Sequence, residues 1–180
     1  MVIQLCKKIC VIGEPGVGKT SLIGRFVYNM FDDTYLHTIG ANVSKKDITL
    51  EIDKTECTIT MMLWDIAGQR TFSFVQPTFY RNSDGAFFVC DITRKETLEA
   101  MDSWLGTFWK INPNAHVKML VNKKDLIEKA KFDIEDIKKK SEKNRINYFL
   151  TSAKTGESVD TAFYDMAKSI CKSHLSKKEK

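Results

Sequence analysis

Residues 13–20 read Gly-Glu-Pro-Gly-Val-Gly-Lys-Thr, the G-x-x-x-x-G-K-S/T spacing of a loop that holds phosphate. Gly13, Gly16 and Gly18 let the backbone turn sharply and aim its N–H groups at phosphate oxygens, and a helix starting near Gly18 adds its positive dipole end. The expected cradle is Gly13, Glu14, Pro15, Gly16, Val17, Gly18, Lys19, Thr20 and Ser21. Pro15 has no N–H and a fixed φ, so it shapes the loop without donating. Lys19 is placed to reach the outer phosphates, and the Thr20 hydroxyl to coordinate Mg²⁺. The implied ligand is a nucleoside triphosphate.

Three further segments choose the base and the chemistry. Asn122-Lys123-Lys124-Asp125 and Ser152-Ala153-Lys154 each follow a strand-like run. Guanine presents two donors side by side, which one carboxylate, Asp125, can accept together; adenine would leave that carboxylate unpaired. The Lys123 stem can lie along a purine face, and the Ala153 N–H can donate to the guanine 6-oxygen. In Trp64-Asp65-Ile66-Ala67-Gly68-Gln69, Asp65 can hold Mg²⁺ through its hydration shell, Gly68 can offer an N–H to a γ-phosphate, and Gln69 can orient an attacking water. Thr38 supplies a second hydroxyl for the metal. Catalysis then falls to Gln69, Lys19 and Gly68, and the metal set is Thr20, Thr38 and Asp65.

These segments need a scaffold that brings them to one edge. Strand-like runs fall near 5–12, 42–52, 56–64, 84–91, 116–122 and 146–151, and helix-like runs near 18–29, 94–111, 133–144 and 158–172. Only Asp53-Lys54 separates the second and third strands, so these form an antiparallel hairpin; elsewhere strands alternate with helices, which implies right-handed crossovers and a mostly parallel sheet. Each chemical segment follows a strand, on the carboxyl edge where ligands of such sheets bind. Thr93 with Glu96 reads as a capping box, followed by an apolar stripe of Leu98, Met101, Leu105 and Phe108. Val159, Phe163, Met166 and Ile170 give the last helix its stripe. Both stripes read as core.

Composition frames the rest. At 180 residues, 43% apolar and 28% charged, the chain suits one globular domain. It lacks an apolar run long enough to span a bilayer and a signal-peptide core. Five cysteines show no C-x-x-C pair, and four of them lie in strand-like stretches as small hydrophobes; this favours a reducing, cytoplasmic compartment. The +5 charge gathers in Lys138–Lys140 and Lys177–Lys180, without interleaved stacking aromatics, so nucleic acid is not expected as a partner. The three histidines, His37, His116 and His174, are scattered singly, so a histidine metal site is not expected.

Taken together, the four motifs resemble the Ras superfamily of small GTPases over about residues 5–173, and look most like its Rab/Ras branch. The resemblance implies an α/β three-layer P-loop NTPase G domain over 1–175, with a six-stranded, mostly parallel sheet, one antiparallel strand and helices on both faces; residues 176–180 form a short basic tail. It implies a GTP/GDP switch with Mg²⁺ and slow unaided hydrolysis; the alternative is a nucleotide-stabilised interaction module with negligible turnover. Phe31 looks like the aromatic over the guanine edge, and Tyr35 like the residue closing over the phosphates. Val43, Trp64 and Phe79 resemble the effector-binding triad, with Ile39 and Phe72 in the flanking switch regions. An effector, an exchange factor and an activating protein are the implied partners of a monomer. Pro15 departs from the family pattern, where it would obstruct an activator's arginine; Arg70 replaces a common glutamate. Ser176-Lys177-Lys178-Glu179-Lys180 lacks a prenylation cysteine, so the expectation is weak, electrostatic membrane association at most, or a tail beyond residue 180.

Overall fold

The computed structural model describes residues 2–32, 38–68 and 76–178. Six strands form one sheet: β1 Val2–Ile12, β2 Ala41–Ile52, β3 Thr55–Ile66, β4 Gly85–Asp91, β5 His116–Asn122 and β6 Asn147–Leu150. Their order is β2-β3-β1-β4-β5-β6. β2 is antiparallel to β3 and every other pairing is parallel, as expected. At the hairpin, Asp53 and Lys54 both take positive φ, 49° and 64°. That mirror-image turn matches the twist of paired strands, and it sets Val43 opposite Trp64.

Alternation along the strands divides the core in two. In β1, Ile9 and Val11 join one apolar cluster, while Cys10 and Ile12 join the other. In β4, Phe87 and Val89 face the first, and Ala86, Phe88 and Cys90 the second. Side chains two apart share a face, so the two clusters lie on opposite sides of the sheet. The first is covered by α1 (Lys19–Tyr28) and α6 (Val159–Lys178), where Phe26 stacks on Phe163 at 4.1 Å. The second is covered by α2 (Gln76–Tyr80), α3 (Lys95–Glu99), α4 (Met101–Ile111) and α5 (Ile134–Asn144). All eight residues of the two predicted apolar stripes are buried.

Several local expectations need correction. The helix expected across 94–111 is two helices, because the Ala100 carbonyl takes bonds from both Ser103 and Trp104, tightening the ladder there. Thr93 does not cap it: its N–H and hydroxyl both bond Asp91 Oδ1, at 2.9 and 2.7 Å, and the residue before α3 is Arg94, with no side-chain cap. A buried carboxylate is the stronger acceptor, and it takes the hydroxyl. The capping box of the chain is at α5, between Asp133 and Asp136. Cys6 is exposed rather than packed, on the outward face it shares with Gln4, whereas Cys171, on α6, is buried. Among the described residues no helix is long and apolar enough to cross a membrane.

Candidate functional site

The loops after β1, β3, β4, β5 and β6 meet at one edge of the sheet. The first ends in Gly18, at φ 99°, which starts α1 without any side-chain cap and with no acidic residue in the first turn. The amides of this helix start are therefore left to an anion. Two glycines are obligatory here. A Cβ on Gly13 would lie 2.3 Å from the Val89 carbonyl oxygen, and one on Gly18 would lie 2.3 Å from Asn122 Nδ2. A Cβ on Gly68 would lie 2.5 Å from Gly13 O and 2.6 Å from Lys19 Nζ, so the end of β3 is pressed directly onto the loop.

Lys19 is 6% exposed, and its ammonium donates to the carbonyls of Gly13 and Glu14 at 2.8 and 2.9 Å. Burial pulls its pKa from 10.5 to about 8, against the opposing charges of Asp65 and Glu14 and together with the like charge of Arg94. Thr20, Thr38 and Asp65 converge as expected. Thr20 Oγ1 donates to Asp65 Oδ2 at 2.6 Å, and the Thr38 hydroxyl lies 3.1 Å from Thr20 Oγ1 and 3.5 Å from Asp65 Oδ2. Asp65 is 3% exposed, and burial raises its pKa although hydrogen bonds from the two threonines and the Lys19 charge work against it. Its Oδ1 is buried with no hydrogen-bond partner among the described residues. A buried, unsatisfied carboxylate oxygen beside two hydroxyls is a hard-oxygen set, and it fits Mg²⁺.

The β5 and β6 loops are locked to the phosphate loop. Asn122 is 1% exposed, donates to Val17 O at 2.9 Å, and accepts from the Ala153 N–H at 3.2 Å and from the Thr151 hydroxyl at 3.4 Å. Asn122 thus acts as a tie between three loops, and the Ala153 amide expected to meet the guanine 6-oxygen is turned to Asn122. Lys123, at φ 67°, pairs its ammonium with Asp91 Oδ2 at 2.6 Å. Asp125 is exposed and accepts from the Ser152 hydroxyl at 2.6 Å, leaving acceptor capacity outward. Lys154 is exposed, and its carbonyl, like that of Ala153, is held by the Arg25 guanidinium at 2.7 and 2.8 Å.

Four site residues escape the sequence reading: Asp91, Arg25, Arg94 and Trp104. Asp91 is the last residue of β4 and Asp65 the last but one of β3, and that parallel is the available signal. It is buried and gathers Thr93, Lys123 and Arg94, the last at 3.2 Å; burial would raise its pKa, but the hydrogen bonds from Lys123 and Thr93 outweigh it and hold it below the carboxylate range. Arg94 donates to Pro15 O at 2.8 Å, and Trp104 Nε1 to Glu14 Oε1 at 3.0 Å.

Gln69, Arg70, Phe72 and Tyr35 lie outside the described residues. Of the aromatic and apolar positions, Ile39 is 81% exposed and Val43 is exposed, whereas Trp64 and Phe79 are half-buried, 6.5 Å apart between ring centres, with Lys8 Nζ 4.0 Å over the indole. Phe31 packs in part against the α1–α6 core cluster.

Comparison with known proteins bears on all of this. The family model described as the Ras family matches residues 8–172. Ras-related protein Rab-1 of Theileria parva is 38% identical over 165 residues, 91% of this chain and 73% of the relative. Ras-related protein Rab-13 of Rattus norvegicus is 36% identical over the same length, covering 91% of this chain and 79% of the relative. With the sheet order, the phosphate loop and the three tied loops behind it, the chain belongs to the Ras family, on its Rab-like side, and is a GTPase.

Proposed function

We propose that this edge is a guanine-nucleotide site working as a Rab-type switch, with GTP and GDP as the two states. The observation that carries the reading is the meeting of Thr20, Thr38 and Asp65 beside Lys19, with the orphan Asp65 Oδ1 at its centre. Thr20, Thr38 and Asp65 would hold Mg²⁺, which would supply positive charge against the phosphates. The Gly18–Ser21 helix start and the loop amides orient the phosphates, and Lys19 trades its two carbonyl partners for phosphate oxygens. Gly68 donates its N–H to the γ-phosphate, and Gln69 orients the water. Asp125 accepts the two guanine donors while Ser152 fixes its carboxylate; Lys123, Lys154, Phe31 and Tyr35 enclose the base and phosphates. Loss of the γ-phosphate releases Thr38 and Gly68 and so alters the surface of Ile39, Val43, Trp64, Phe72 and Phe79, where effector, exchange factor and activating protein would bind. The domain, 1–175, works as a monomer in the cytoplasm, with membrane trafficking as its setting.

The test is to identify the co-purifying nucleotide and follow single-turnover phosphate release from the GTP-loaded chain. The expected rate is on the order of 10⁻⁴–10⁻³ s⁻¹, falling markedly in Gln69→Leu while binding holds. Tight guanine-nucleotide binding with no measurable release in the parent would instead support the binding module.

A further inference from the structure

Proline at position 15 removes one amide from the phosphate loop, and the carbonyl of the neighbouring peptide accepts from a charged side chain, Arg94. Arg94 is held from behind by the buried Asp91 carboxylate, Nε to Oδ2 at 3.2 Å, and its Nη2 reaches the Pro15 carbonyl at 2.8 Å. Within the loop, the carbonyls of Gly13 and Glu14 are turned to Lys19, and among the described residues only that of Pro15 is taken by a cation from another element. The Pro15–Gly16 peptide is trans, so its C=O and N–H point in opposite directions within one rigid plane. Fixing the carbonyl outward on Arg94 fixes the Gly16 N–H inward.

Two effects follow. The first is orientation. Gly16 sits at φ 72°, a glycine-favoured conformation whose flanking peptides can flip at little steric cost, so an external hold on one of them removes that freedom. The second is polarisation. A charge-assisted hydrogen bond to the carbonyl of an amide strengthens the N–H of the same amide as a donor. We infer that Arg94 is a positioning residue for phosphate: through the Pro15–Gly16 peptide it aims and polarises the Gly16 N–H, offsetting the donor lost at Pro15. It does not touch the nucleotide. This rests on the reading of the edge as a guanine-nucleotide site.

The experiment compares the parent chain, Arg94→Ala and Arg94→Gln, each loaded with GDP and Mg²⁺, by the NMR shift of the Gly16 amide proton and by the GDP dissociation rate. Glutamine keeps a neutral donor and loses the charge. The Gly16 proton should be shifted downfield in the parent, move upfield in Arg94→Ala and stand between the two in Arg94→Gln. Dissociation should be about tenfold faster in Arg94→Ala, the size expected for losing one charge-assisted bond, and intermediate in Arg94→Gln. Faster dissociation with an unmoved Gly16 resonance would mean that Arg94 only braces the fold, and would overturn the inference, as would no change in either quantity. Should Arg94→Ala fail to fold, Arg94→Gln alone decides by the same criteria. A parent that binds no guanine nucleotide overturns the reading of the site and this inference with it.

Discussion

Asn122 and Val17 lie 105 positions apart in the chain and 2.9 Å apart in the fold, joined by the Asn122 side-chain amide. The bond makes the distance between the base-reading loop and the phosphate loop a property of one side chain. Asn122→Ala would leave Val17 O and the Ala153 N–H buried without partners, at about 1–3 kcal/mol. The expected result is a lower urea midpoint together with weaker binding of GDP and GTP alike. Weaker binding with unchanged stability would mean that Asn122 acts on the nucleotide directly.

Asp125→Asn replaces one acceptor oxygen by a donor, which suits the 2-oxo group of xanthine. GTP affinity should fall at least about a hundredfold while xanthosine triphosphate binding improves, the scale of a site built on buried polar pairing. Equilibrium titration with fluorescent nucleotides measures both, and undiminished GTP affinity would remove Asp125 from the base site.

Gly68→Ala puts a methyl group 2.5 Å from Gly13 O and 2.6 Å from Lys19 Nζ. The end of β3 must then back away from the loop, taking the Gly68 N–H with it. GTP binding and single-turnover hydrolysis should suffer more than GDP binding, because only GTP carries the phosphate that this N–H would meet. Equal loss for both nucleotides would show that the clash is absorbed by Lys19 instead.

Asp102 on α4 bonds Lys143 at 2.8 Å and Lys140 at 2.9 Å on α5, and these contacts hold its pKa at about 2. A carboxylate depressed in the folded state stabilises above its unfolded pKa of 3.8, and the contribution is lost as pH falls through about 2. The carboxylate is 40% exposed, so solvent screening keeps the effect to about 1 kcal/mol or less. Asp102→Asn should therefore lower the urea midpoint slightly at pH 7, with the gap to the parent closing between pH 4 and pH 2. A gap independent of pH would point to packing rather than charge.

What could be read beforehand, and what could not, follows the range of the forces involved. The strands, the two apolar stripes and the Asp53-Lys54 hairpin rest on period and local turn chemistry, and they stand where their residues put them. The meeting of Thr20, Thr38 and Asp65 follows from motif spacing: the start of α1, the loop before β2 and the end of β3 each bring one oxygen donor to the same edge. Thr93 misled because a nearby serine-like hydroxyl before a helix reads as a cap, while the buried Asp91 that claims it is visible only in three dimensions. Arg25, Arg94 and Trp104 are illegible for the same reason: by pattern Arg25 is a helix-surface residue, Arg94 precedes a helix and Trp104 belongs to the core, yet each bonds a loop 79 to 129 positions away. Asn122, expected at the nucleotide, also ties Val17 O to the Ala153 N–H, and that use of its side chain depends on loops far apart in the sequence.

The sheet order carries a consequence for how the chain is made. β1, the first of the six strands in sequence, occupies an interior place between β3 and β4, and pairs with both in parallel. Parallel partners cannot be met through a tight turn. Val2–Ile12 must therefore wait for Thr55–Ile66 to pair one edge and for Gly85–Asp91 to pair the other. The chain between Ile12 and Gly85 is synthesised before the second edge can pair, at a translation speed of ~5–20 residues per second. The centre of the sheet is therefore completed late, when β4 arrives to close the second edge of β1.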